Sequence, residues 1–155
     1  MREERQAITP SLTVHDAAAA IAFYEKSFGA KVGGEPSRGP GGKIMHSELV
    51  LGGMKFFVND EFPEMGAYGA VHYGGSPVHL QLRVKDVDAA YNAAVAGGAK
   101  SMMKPEDAFW GDRYACVTDP FGHVWGISAP NEDLTEAEQK ERTDKWMREQ
   151  ETSKK

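Results

Sequence analysis

The stretch from Leu12 to Lys31, LTVHDAAAAIAFYEKSFGAK, returns later in the chain as LRVKDVDAAYNAAVAGGAK, from Leu82 to Lys100. Val14 falls on Val84 and Asp16 on Asp86 at a spacing of 70, and Gly29-Ala30-Lys31 falls on Gly98-Ala99-Lys100 at 69. One residue has therefore been lost between the two copies. At the shorter spacing GGMKFFV, from Gly52, falls on FGHVWGI, from Phe121. The correspondence runs in order through most of two halves, which marks a duplicated supersecondary unit rather than a chance likeness of two alanine-rich helices.

Each half has the same internal plan. An extended apolar stretch (ITPSLTV; PVHLQLRV) leads into an aspartate suited to cap a helix. Ala18, Ile21, Ala22 and Phe28 recur at helical spacing and predict one buried face, and Val87, Ala90, Tyr91, Ala94 and Val95 do the same in the second half. Gly29 and Gly98 stand where helices end. Three extended segments are expected after each helix, at residues 31–35, 43–51 and 54–59, then at 100–103, 112–118 and 123–128. Between the halves, EFPEMGAYGAVHYGGS has the small-residue composition of a linker. Past Asn131, Thr135 with Glu138 forms a capping-box pattern and predicts a charged helix to about Glu151. Trp146 and Met147 are its large apolar residues, enough for one patch docked on the body or on a partner subunit. The expectation is one α+β domain over residues 1–155, with module one at 8–60, a linker at 61–76, module two at 77–130 and a helical tail at 131–155.

Composition bounds the functions. With 41% apolar and 26% charged residues and a formal net charge of −5, the chain reads as a globular protein without a basic stripe or a membrane-length apolar run. Nucleic acid and membrane are therefore not expected as partners. Seventeen glycines gather in pairs at turns, and none forms a phosphate-binding loop. MREERQAITP lacks the apolar stretch of a secretory signal, so a cytoplasmic location is expected. Cys116, the lone cysteine, excludes an internal disulfide framework and reads as a small core residue within RYACVTD.

The paired V-x-D…FY…(F/G)GA arrangement, with DPFGHVW closing the second half, resembles the vicinal oxygen chelate superfamily of glyoxalases, bleomycin resistance proteins and extradiol dioxygenases. MHSEL…DEFPEMG…GGSPVHLQLRVKDVD…FWGDR…DPFGHVW is similar to its PhnB-like branch, over about residues 8–138. The resemblance implies two tandem βαβββ modules forming a cup-shaped mixed sheet, with helices outside and the ligand inside, and a homodimer. It also implies four ligand positions in the metal-using members. Counted from the V-x-D landmark these fall on Thr9 and His79, and from the glycine turn on Phe57 and Gly126. Divalent cations want His, Cys or carboxylate donors there, and a slip of one residue brings in none. No metal or other cofactor is therefore expected, and the facial triad of a dioxygenase and the carboxylate base of a glyoxalase-type isomerase are both missing.

Candidate site residues follow from strand alternation. His79, Gln81 and Arg83 share one face of their strand, with Leu80, Leu82 and Val84 on the other. His46 and Glu48 also share a face. They read as a hydrogen-bonded pair, a proton-transfer pair, a substitute metal site with His79, or a polar pair on a half-exposed strand. Phe109-Trp110-Gly111-Asp112-Arg113 reads either as a lid, with an aromatic wall and an anion contact at Arg113, or as a plug for the open end of the cup. Phe62 and Met65 are candidates for the opposing wall, and Phe57 joins the ligand-contacting set. His15 and His72 read as surface residues and His123 as a turn or interface residue. Two function classes stand open. One is a metal-free protein that binds an aromatic or amphipathic small molecule. The other is an enzyme working through His79, Glu48 and His46, as relocated metal ligands or as an acid–base pair. A third reading makes the pocket vestigial and the protein a dimeric structural part.

Overall fold

The computed structural model describes residues 7–153. The first half gives β1 (Ser11–Val14), α1 (Ala17–Phe28), β2 (Lys31–Val32), β3 (Ser37–Arg38), β4 (Ile44–Leu51) and β5 (Met54–Asp60). The second gives β6 (His79–Arg83), α2 (Val87–Ala96), β7 (Lys100–Asp107), β8 (Asp112–Thr118) and β9 (Val124–Pro130), and α3 (Glu136–Thr152) follows. The segment expected at 31–35 is cut down to the two-residue β2, and a further short strand, β3, follows beyond it; both lie on β4. Gly33, Gly34 and Pro36 interrupt the stretch, and proline removes a ladder donor.

The repeated aspartates act alike. Asp16 accepts from the Ala19 amide and Asp86 from the Ala89 amide, each at 2.9 Å, and so each caps its helix. Gly29 ends α1 in the left-handed conformation, φ 73°, whereas α2 stops one residue earlier than expected, at Gly97. Asp60 ties three elements together. One of its oxygens accepts from the Ala17 amide and the other from the Ile44 amide, both at 2.7 Å.

The first sheet runs β1-β5-β4-β2 with β3 also on β4, and the second runs β6-β9-β8-β7. In each, the first strand lies parallel to the last. No ladder among the described residues joins the two sheets. They share one core instead, with both helices in it. Trp125 of β9 shows why: its ring lies 5.3 Å from Tyr24 and 5.0 Å from Phe28 of α1, and 6.0 Å from Phe56 of β5. The helix-covered faces of the two sheets therefore look toward each other, and their open faces look away. Within one chain the two halves of the expected cup stand back to back.

This packing rotates α1. Ala18 and Ala22, expected inside, are exposed, while Phe23, Tyr24 and Ser27 are buried beside Ala17, Ala20 and Ile21. The helix serves both sheets, and its aromatic residues Phe23, Tyr24 and Phe28 reach Phe121 and Trp125 of the other module. In α2, Val87, Tyr91 and Ala94 are buried as expected, while Val95 is exposed.

Asp119 sits at the centre of the shared core, 4% exposed. One carboxylate oxygen accepts from the Tyr24 hydroxyl at 2.6 Å and the Trp125 indole N–H at 2.9 Å. The other accepts from the Phe121 and His123 amides at 2.9 and 3.0 Å. A buried carboxylate is tolerated when its lone pairs are satisfied in this way. Burial first, and the neighbouring Asp119 charge second, push the Tyr24 hydroxyl well above its usual pKa.

α3 buries none of its residues. It reaches the body through Trp146, stacked on Phe109 at 5.1 Å, and through the Arg142–Glu132 ion pair at 2.6 Å. One aromatic pair is worth about 0.5–1.5 kcal/mol, so the helix is held lightly. Among the described residues no helix is long and apolar enough to cross a membrane.

Candidate functional site

Alternation on β6 turns Leu82 into the shared core and leaves Gln81 exposed on the open face of the second sheet. In register, Gln81 stands beside Gly126 of β9, Gly126 beside Cys116 of β8, and Cys116 beside Met103 of β7. Gly126 makes room for what crosses it. A Cβ there would run into the Gln81 carboxamide oxygen and come within 2.7 Å of the Tyr114 hydroxyl. Tyr114 thus shares the space over Gly126 with Gln81, and Cys116 lies on the same face two residues on along β8. Burial pushes the Tyr114 hydroxyl and the Cys116 thiol above their ordinary pKa values, so both are protonated at neutral pH. The floor of this face is thus a hydroxyl, an amide and a thiol, all uncharged. Trp110 stands edge-on to Tyr114 at 5.6 Å and to Phe109 at 5.1 Å.

The other expected residues are placed as follows. His79 opens β6, exposed and in register with Val124. Arg83 turns outward beside Asp112 at 3.7 Å. Arg113 points the opposite way from Tyr114, toward α2. It meets Asp88 at 2.5 and 2.8 Å and Asp107 at 2.9 Å, so its guanidinium is engaged by two carboxylates and not turned to the open face. On the first module, Glu48 lies in register with Phe57. The His46 ring stands edge-on to Phe57 at 4.6 Å, while Glu48 pairs with Lys55 at 3.1 Å. His46 and Glu48 each have a different neighbour, and His79 belongs to the other sheet. Phe62 is buried with the Lys43 ammonium 5.2 Å over its ring, and Met65 is exposed. His15 packs on Phe121 at 5.3 Å and His72 stacks on Tyr68 at 4.0 Å. His123 Nε2 donates to the Thr13 carbonyl at 3.2 Å, across the boundary between the modules.

The four positions implied for a metal do not fit one. Thr9 precedes β1, Phe57 packs on His46, and the space above Gly126 is closed by Gln81 and Tyr114. Only His79 offers a nitrogen. Among the described residues no three His, Cys, Asp or Glu side chains converge on a point.

The sequence profile of the Glyoxalase/Bleomycin resistance protein/Dioxygenase superfamily matches residues 7–127, across both modules. The chain belongs to this superfamily. This superfamily member is 43% identical over 128 residues to an uncharacterised protein of Mycobacterium tuberculosis strain H37Rv, covering 80% of this chain and 74% of the other. The crystal structure of the Arabidopsis thaliana gene product At5g48480 superposes with a TM-score of 0.64 at 31% identity, covering 80% of this chain and 98% of that one. The PhnB protein of Bacillus cereus shares the fold, with a TM-score of 0.62 at 18% identity over 80% of this chain and 99% of its own. Both α3 and the Phe109–Trp110 loop's contact with it involve residues beyond the matched span.

Tyr114 was not singled out from sequence, and Cys116 was read there only as a small core residue. Alternation along 112–118 puts them on the face opposite Arg113, Ala115 and Val117, and Gly126 beside them was the available signal.

Proposed function

We propose that the protein binds a neutral aromatic or amphipathic small molecule on the open face of its second module, without a metal, in a cup that a second copy completes with its first module. The uncharged floor of Gln81, Tyr114 and Cys116 around Gly126, walled by Trp110, carries this reading. Apolar and aromatic surroundings with a few placed hydrogen-bonding groups are what small-molecule sites have in common. His79 and Phe109 would contribute to the rim, and Phe57, on the first module, would line the half that a second copy brings.

The back-to-back halves favour a homodimer, in which a second copy would close the open face. The Val84 amide bonds to Ser128 of β9, so the backbone groups of the alternate residues His79, Gln81 and Arg83 point to the other edge of β6, which no strand among the described residues pairs. Beside that edge lies a cleft of about 380 Å³, lined mostly by apolar residues such as Ile8, Leu51, Leu80 and Trp125, with Lys55, Gln81 and Arg83 among its polar ones. A strand edge next to a largely apolar cleft favours another chain over water. Within the superfamily the motif pattern favours the PhnB-like branch, and the buried free thiol suits a cytoplasmic setting.

The test is a thermal-shift screen of neutral aromatic compounds against the wild type and Gln81→Leu, with light scattering on the same samples. A ligand at 100 times its dissociation constant adds about 2.7 kcal/mol, which raises the melting point by roughly 5–10 °C in a domain of this size. The proposal expects such shifts, their loss in Gln81→Leu, and a mass near twice 17.0 kDa. A monomer that no neutral aromatic compound stabilises would refute it. The enzyme reading, through His79, His46 and Glu48, is favoured by their shared outward placement alone. Under that reading His79→Ala abolishes turnover while leaving the melting point unchanged.

A further inference from the structure

We infer that Trp110 is the stacking wall of the ligand cup and that the C-terminal helix, through Trp146, sets which ligands that wall retains. This rests on the second module's open face being the ligand site. Four rings run in contact from α3 to the floor. Trp146 stacks on Phe109 at 5.1 Å and 25°, Phe109 meets Trp110 at 5.1 Å and 88°, and Trp110 meets Tyr114 at 5.6 Å and 69°. The run ends where the Tyr114 hydroxyl reaches over Gly126 to Gln81. Trp110 is 37% exposed and Trp146 40% exposed, so each is braced on one side and open on another.

The backbone beneath the wall is fixed. The Gly111 carbonyl accepts from the Asn131 and Glu132 amides, both at 2.9 Å, and Gly111 has φ 97°. A Cβ at this position would meet the Glu132 carbonyl at 3.1 Å and the Leu134 side chain at 3.2 Å. Loop and tail are therefore pinned together at one point, and α3 departs from it as 17 residues with none buried. A helix that buries nothing contributes little to the core. What it does contribute is one indole ring laid flat on Phe109, which restricts the Phe109–Trp110 pair. A restricted tryptophan offers a flat apolar surface with less side-chain freedom to lose on binding. Over a floor of amide, hydroxyl and thiol, that surface suits a flat, uncharged ring bearing a carbonyl or hydroxyl at its edge.

Binding of 7-methoxycoumarin, flat and neutral, and of 1-adamantanol, compact and not flat, is measured by calorimetry on the full chain, alongside melting curves. Wild type, Trp146→Ala, Trp146→Phe and Gln81→Leu are compared. The expected result is a loss of up to about tenfold for the coumarin in Trp146→Ala, the range of one aromatic contact. Adamantanol affinity should stay unchanged, the melting point should fall by no more than about 1–6 °C, and Trp146→Phe should recover most of the coumarin loss. Equal coumarin binding by wild type and Trp146→Ala, with binding lost in Gln81→Leu, overturns the helix's role and leaves the site standing. An equal loss for both probes also overturns it, because the helix would then merely support the fold. A wild type that binds neither probe overturns the inference and the ligand site together.

Discussion

Replacing Tyr24 with phenylalanine tests the centre of the shared core. The substitution keeps the ring against Phe56 and Trp125 and deletes one hydroxyl, which donates to buried Asp119 at 2.6 Å. A hydrogen bond to a charged group contributes about 1.5–3 kcal/mol. The affected oxygen keeps the Trp125 indole N–H and the other keeps two amides, so the carboxylate is weakened but not stranded. For a domain of this size roughly 2–4 °C accompanies each kcal/mol, which gives a melting point lower by about 3–12 °C. Calorimetry and urea melts at pH 7 measure it. A second arm uses pH. Tyr24 is raised in the folded protein, so the stability its proton supplies is complete below the unfolded tyrosine value of about 10 and is lost as pH rises through the folded value. The gap between wild type and Tyr24→Phe should therefore narrow above about pH 10. A variant that melts within about 1 °C of wild type, or a gap that stays constant with pH, would refute the reading of this bond.

Gly126→Val should fold, because the atoms it displaces are the tips of Gln81 and Tyr114, but the Tyr114 hydroxyl should move into solvent and titrate earlier in a near-ultraviolet titration. Cys116 is buried with its thiol pushed up by burial, so Ellman's reagent should label it slowly at pH 8 and fully in guanidinium; rapid labelling of the native protein would contradict the packing. Asp60→Ala should cost about 1–2 kcal/mol, as the loss of a helix cap does, and should speed hydrogen exchange at the Ala17 and Ile44 amides. Arg113→Gln should lower the melting point slightly at pH 7. Asp88 is held low by hydrogen bonds from Arg113, so that difference should disappear as pH falls below the ordinary aspartate value and through the folded one.

Within each module the sequence was a good guide, because strand and helix placement depends on local signals. Asp16 and Asp86 cap helices where expected, and the segment at 112–118 is β8 to the residue. What depended on contacts between modules was harder to read. Ala18 and Ala22 are good helix residues with helical spacing, but nothing local says that α1 must turn Phe23 and Tyr24 toward Phe121 and Trp125, about 100 residues away in sequence. Asp119 stood in DPFGHVW with no role of its own, and its Tyr24 partner could not be inferred from periodicity. At the site, alternation placed Gln81 correctly on the open face and His46 and Glu48 on one strand face. It did not reveal that Lys55 engages Glu48 or that Asp88 and Asp107 engage Arg113, since these pairings lie across strands and from helix to strand.

The shared core also imposes an order of events on synthesis. The aromatic face of the first module, Tyr24, Phe28 and Phe56, is covered only when Trp125 arrives, 69 residues after Phe56. At a ribosomal rate of about 5–20 residues per second the nascent first half waits roughly 3–14 s with that face uncovered. Nascent chains arrested just short of Trp125 should accordingly be cut by protease within the first module and held by chaperones, while chains arrested well past it should resist.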